Sequence, residues 1–171
     1  LKDVRITRDR NGLGHAGAER AVKKAVRAAM RAEGVDVPFE VDVVFTDDEG
    51  IREINSAQRG IDRPTDVLSF PLNELTPGAF DAGECDIDPE TGAVMLGDMV
   101  ISLPRCQAQG EEYGNGFTRE ISYLAVHSSL HLLGYDHVDE GEDKKLMRSR
   151  EEAVMELLGM GYAKEKNDGD N

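Results

Sequence analysis

Three of the chain's four histidines fall within eleven residues, His127-Ser128-Ser129-Leu130-His131-Leu132-Leu133-Gly134-Tyr135-Asp136-His137. This cluster constrains the fold more than any other feature. The segment from Thr118 to about Leu133 reads as a helix, with Ile121, Leu124, Ala125, Ser128 and Leu132 on its buried stripe. At 3.6 residues per turn, His127 and His131 project from one face of that helix. Gly134 then lets the backbone leave through a left-handed cap and bring His137 back toward them. Three neutral imidazoles so placed form a zinc-type site with one open position, at which bound water is strongly acidified. Whatever fold the chain adopts must hold this helix and its bend against a rigid core.

The spacing H-x3-H-x2-G-x2-H is the metzincin peptidase pattern. In that pattern the residue after the first histidine is the glutamate that acts as general base, and here it is Ser128. A serine without a base partner does not activate water for amide hydrolysis. A substrate whose cleavage depends more on charge neutralisation, such as a phosphodiester, fits the residues better.

The remaining pattern describes the frame. Val4–Thr7, Phe39–Phe45, Asp66–Phe70 and Asp98–Ser102 read as strands. Residues 19–33 read as a helix stopped by Gly34, and Thr46-Asp47-Asp48-Glu49 reads as a capping box opening a second helix that ends by Gly60. Ser102 and Pro104 open a third helix, which Gly114-Asn115-Gly116 ends, and Thr118 caps the fourth. A last helix from about Glu140 to Leu158 is expected to turn Leu146, Met147, Val154, Leu157 and Leu158 inward. The fold class is α/β (α+β): a small mixed, mostly parallel four-stranded sheet flanked by about five helices. Residues 1–171 are expected to form one domain, with a mobile acidic loop over about 73–92 and a frayed tail over about 162–171.

Net charge is -14, which argues against a nucleic-acid partner, but its distribution is uneven. Residues 1–31 hold nine Lys and Arg against three acids, so a basic face on the first helix is available to track phosphates. Cys85 and Cys106 are too few for a disulfide framework and read as free thiols. No apolar run is long enough to cross a bilayer, and Leu1–Ile6 lacks an apolar signal core, so the expected location is cytoplasmic.

Pro64-Thr65-Asp66-Val67-Leu68-Ser69-Phe70-Pro71, Leu96-Gly97-Asp98-Met99-Val100-Ile101-Ser102 and the His127–His137 segment occur in that order. Together they resemble the YbeY family of single-strand-specific endoribonucleases, over about Val41 to Leu158. The resemblance implies zinc, one ion per chain, held by His127, His131 and His137. It implies ribosomal RNA maturation and ribosome quality control as the activity, with single-stranded RNA, the ribosome and ribosome-associated proteins as partners. It also implies a role in cleavage for Arg59, whose guanidinium would pair bidentately with a phosphate. The nucleophile is either metal-activated water or the substrate's own 2′-hydroxyl. Arg63 and Arg105 are weaker candidates for backbone contacts; Asp136 is a candidate either to orient an imidazole or to stabilise the turn, Tyr123 either to line the pocket or to serve as an ordinary helix aromatic, and His15 is expected to be exposed. The family usually carries Gly where this chain has Ser128, a side chain that would crowd the site if that gap receives substrate. The rival readings are a non-catalytic, zinc-containing ribosome assembly factor and a metzincin-like metallopeptidase recruiting its base from elsewhere, Asp136 included. The basic first helix and Arg59 are expected to share one face.

Overall fold

The computed structural model describes residues 3–136 and 141–161. Its elements are β1 (Val4–Arg8), α1 (Ala18–Ala32), β2 (Phe39–Thr46), α2 (Asp48–Arg59), β3 (Val67–Pro71), β4 (Val94–Ser102), α3 (Leu103–Glu112), α4 (Phe117–Leu132) and α5 (Glu142–Leu157). The sheet order is β1-β2-β4-β3. β1, β2 and β4 run parallel, and β3 closes the edge antiparallel to β4. A mixed, mostly parallel four-stranded sheet with five α-helices is what the pattern predicts.

Alternation along the strands sorts their side chains onto two unequal faces. Val41, Val43 and Phe45 of β2 join Leu96, Met99 and Ile101 of β4 in a large core beneath α1, α4 and α5. The opposite face carries a small cluster of Ile51, Leu68 and Val100, with Ile54 and Phe70 at its margin, covered by α2. Ala18, Ala25 and Ala29 of α1 are fully buried, and these small residues let α1 lie close against α4.

Four local expectations are corrected. Asp47, not Thr46, caps α2: its backbone is extended and its side chain accepts the Gly50 amide at 2.8 Å. An aspartate one residue nearer the helix reaches that orphan amide directly, whereas the buried Thr46 hydroxyl finds no partner among the described residues. Gly116 rather than Thr118 stands at the start of α4, one residue ahead of Phe117. β4 begins at Val94, four residues before the expected start, because the register with β2 shifts between Glu40 and Val41 and breaks the alternation. In α5 the inward stripe is Met147, Glu151, Val154 and Met155, while Leu146 and Leu157 face solvent.

The 73–92 stretch between β3 and β4 makes defined contacts. Asn73 bonds the Met95 carbonyl and the Asp86 amide, Thr91 donates to Glu40, and Leu75 is buried. Cys85 and Cys106 are free thiols, and burial pushes the Cys106 thiol up to about 12. No described helix is long and apolar enough to cross a membrane.

Candidate metal and phosphate site

α4 is enclosed by the sheet, α1, α3 and α5, and its histidines emerge at the edge nearest β3. His127 and His131 present their Nε2 atoms to one another at 3.1 Å. What fixes them there lies on their other nitrogens. His127 Nδ1 is 2.7 Å from a carboxylate oxygen of Glu151, a residue of α5 that is only 6% exposed. His131 Nδ1 is 2.9 Å from the main-chain carbonyl of Tyr135. A carbonyl and a carboxylate both accept, so each Nδ1 carries the proton and each Nε2 keeps its lone pair. Two neutral acceptors at that separation repel unless a cation lies between them. Nitrogens held at about 2.0–2.1 Å from one tetrahedral ion stand about 3.3 Å apart, so this pair could hold a shared metal.

The turn that ends α4 belongs to this arrangement. Gly134 has φ +99°, and a Cβ there would run into the Leu75 carbonyl, so glycine is required on both counts. The Gly134 amide returns to the His131 carbonyl and the Tyr135 amide to that of Leu130. The same turn therefore aims the Tyr135 carbonyl back at His131. His137, the third expected ligand, lies outside the described residues. Among the described residues, no group of three or more His, Cys, Asp and Glu side chains is placed to hold a metal ion.

The histidines open into a cleft of about 680 Å³, and Arg59 lines the same cleft. Arg59 reaches it as the last residue of α2, where Gly60 turns the chain in a left-handed cap. Residues 65–69 form the wall between, so one cleft brings together a pair of metal-competent nitrogens and a guanidinium, 68 residues apart for His127 and Arg59.

Comparison with known proteins bears on this geometry. A sequence model of the family described as Endoribonuclease YbeY matches residues 4–159. The chain belongs to that family. Curated relatives described as Endoribonuclease YbeY include one from Desulforamulus reducens, 48% identical over 139 residues and covering 81% of this chain and 85% of the relative. Another, from Caldanaerobacter subterraneus subsp. tengcongensis, is 48% identical over 145 residues, covering 85% and 90%. A solution structure of a Thermotoga maritima protein shares the fold, with a TM-score of 0.55 and 24% identity over 98% of this chain and 99% of that one.

Against the YbeY pattern, the serine at position 128 has a definite place. Ser128 is fully buried, and its hydroxyl lies 2.7 Å from that of Ser69 on β3. The added side chain thus ties α4 to the sheet beneath the histidines. Asp136 lines the cleft, and the Tyr123 ring centroid stands 6.0 Å from that of His127. The other arginines lie elsewhere. Arg105 is paired with Asp48, and Arg63 is an exposed residue whose carbonyl accepts from Asn55. His15 is not simply exposed: it is half-buried and stacks on Phe117 at 3.8 Å.

The expected continuity of the basic first helix with Arg59 fails. Arg20, Lys23, Lys24, Arg27 and Arg31 line a separate groove against Leu157 and Leu158, and α1 and α2 cover opposite faces of the sheet. α1 lies in the connection from β1 to β2 and α2 in the connection from β2 to β3, and these two connections run over opposite faces of the sheet.

Glu151 is the residue beside this cleft's histidine pair that motif reading missed: its carboxylate stands against His127. Its signal is in the sequence: the spacing of Met147, Glu151, Val154 and Met155 places a carboxylate on the buried stripe of α5. A buried acid on such a stripe calls for a partner.

Proposed function

We propose that this chain is a single-strand-specific, zinc-dependent endoribonuclease that acts in ribosomal RNA maturation and ribosome quality control, with His127, His131 and His137 as the metal ligands. One observation carries the reading: in a member of the YbeY endoribonuclease family, two imidazole nitrogens oriented by buried acceptors share a cleft with Arg59. Zinc, when bound, supplies a localised positive charge that polarises a phosphodiester. The chain's own groups do the rest. Glu151 and the Tyr135 carbonyl keep each Nδ1 protonated and each Nε2 available. Arg59 holds a non-bridging phosphate oxygen pair and opposes the charge that grows there in the transition state. The cleft also contains Asp66, Glu74 and Asp136, so the guanidinium is the cationic side chain among its described lining residues. Binding of the RNA backbone then depends on few cations, and its salt dependence is shallow.

The test is cleavage of an end-labelled single-stranded RNA by the wild-type protein, His131→Ala and Arg59→Ala, with a duplex of the same sequence as control. Wild type should cut the single strand, and a chelator should stop it. His131→Ala should be inactive. Arg59→Ala should lose about 10²–10³-fold in rate while keeping its zinc. Equal cutting by all three proteins would mean a contaminating nuclease and would favour a non-catalytic assembly factor.

A further inference from the structure

The basic groove between α1 and the end of α5 takes no part in the site described above, since α1 and α2, which carries Arg59, cover opposite faces of the sheet. The groove encloses about 860 Å³, more than the histidine cleft. Its rim is a stripe of α1. Arg20, Lys24, Arg27 and Arg31 recur at helical intervals, lie on one side of the helix, and are all exposed. At 1.5 Å per residue the stripe is about 16 Å long. Its floor is apolar: Ala28 and Ala32 leave depth beside α1, and Leu158 and the 71% exposed Leu157 form the other side.

The charges on this rim are mostly uncompensated. Arg27 pairs with Asp3, and Glu19 is engaged by Arg8. Among the described residues, no carboxylate lies within ion-pair distance of Arg20, Lys23, Lys24 or Arg31. Elsewhere the chain does the opposite: Arg5, Arg52, Arg105 and Arg150 each lie against an acid. In a chain with 34 acidic residues, four neighbouring cations stand without one, beside an exposed leucine.

We propose that this groove docks an acidic amphipathic helix of a partner protein. Its charge and its apolar floor together select that occupant. An inorganic anion would use converging cations, whereas these are spread over about 16 Å. A nucleic-acid strand is gripped through its phosphates and through rings on which bases stack, and the lining holds no aromatic side chain. A lipid surface engages an apolar face that stands out from the protein, not the floor of a groove. An amphipathic helix meets both demands: its apolar stripe covers Leu157, Ala28 and Ala32, and carboxylates flanking that stripe reach the cations. Docking here leaves the histidine cleft, on the other side of the sheet's edge strands, open to substrate. The surface is a recruitment site, and it does not depend on the nuclease reading.

The probe is a fluorescein-labelled, end-capped peptide of about 15 residues, with leucines at i, i+3, i+4 and i+7 and glutamates flanking them, titrated into the full chain and followed by anisotropy. It should bind saturably, and raising the salt from about 0.05 to about 0.5 M should weaken it by about tenfold. The double variant Lys24→Glu, Arg31→Glu should weaken binding by about tenfold or more, and Leu157→Ala by about tenfold, while thermal stability and RNA cleavage stay at the wild-type level. A peptide with lysines in place of the glutamates should not bind. No binding by the full chain would overturn the proposal, and so would binding that survives these substitutions. Displacement of the peptide by an equal concentration of single-stranded RNA, or by phosphatidylglycerol vesicles, would overturn it in favour of a nucleic acid or a lipid surface. A concentration-dependent dimer in sedimentation, lost in Leu157→Ala, would assign the groove to a second copy of this chain instead.

Discussion

α4 and α5 are both sixteen residues long and both contribute to the histidine site, yet they are built differently. α4 buries ten residues around most of its circumference, and α5 buries four along one stripe. Even the serines of α4 are internalised: Ser122 and Ser129 return their hydroxyls to the Thr118 and Ala125 carbonyls at 2.7 Å. The helix that carries the two histidines is therefore packed on most of its sides. The helix that carries the orienting carboxylate is a surface helix with one functional residue in its apolar stripe. Rigidity is concentrated where two nitrogens must meet within a few tenths of an ångström, and a single buried contact from α5 suffices to set the ring.

The contrast can be broken at three points. The largest effect on the fold is expected from Leu130→Ala in α4, which should lower the unfolding free energy by about 2–5 kcal/mol in denaturant titration, since the walls around it cannot collapse into the gap. A loss below about 1 kcal/mol would mean that α4 is less confined than its burial indicates. Glu151→Gln in α5 should weaken zinc binding by about 10–100-fold, read by competition with a chromophoric chelator, while the melting temperature of the zinc-free protein moves little. Unchanged affinity would reduce Glu151 to a packing residue. Leu157→Ala, at the 71% exposed end of α5, should change stability by no more than about 0.5 kcal/mol. A larger loss would show that the outer face of α5 is covered in solution.

The same contrast explains what could be read in advance. The strands and α4 announce themselves through periodicity, because burial on a fixed face leaves a repeating trace in the chain. The fold class and the shared face of His127 and His131 follow from that trace. Reading α5 by hydrophobicity alone put Leu146 and Leu157 inside and passed over Glu151, since a polar residue on a buried stripe is recognised only when its partner is known. The cap at Asp47 and the bulge in β4 depend on one-residue differences in geometry that several neighbouring residues could satisfy. The separation of α1 from Arg59 was hidden for another reason: which face of a sheet a helix covers is a property of the connections, and charge in the sequence carries no record of it.

The two histidines also differ in how heritable change can reach them. The acceptor behind His127 is a side chain, so one nucleotide substitution in the codon for Glu151 can remove it. The acceptor behind His131 is a main-chain oxygen, present whatever residue is encoded at position 135, and removable only by redirecting the turn at Gly134. Variation can therefore tune one half of the site gradually, through the residue opposite His127. The other half survives every substitution at position 135 that leaves the turn intact, and fails at once with those that do not.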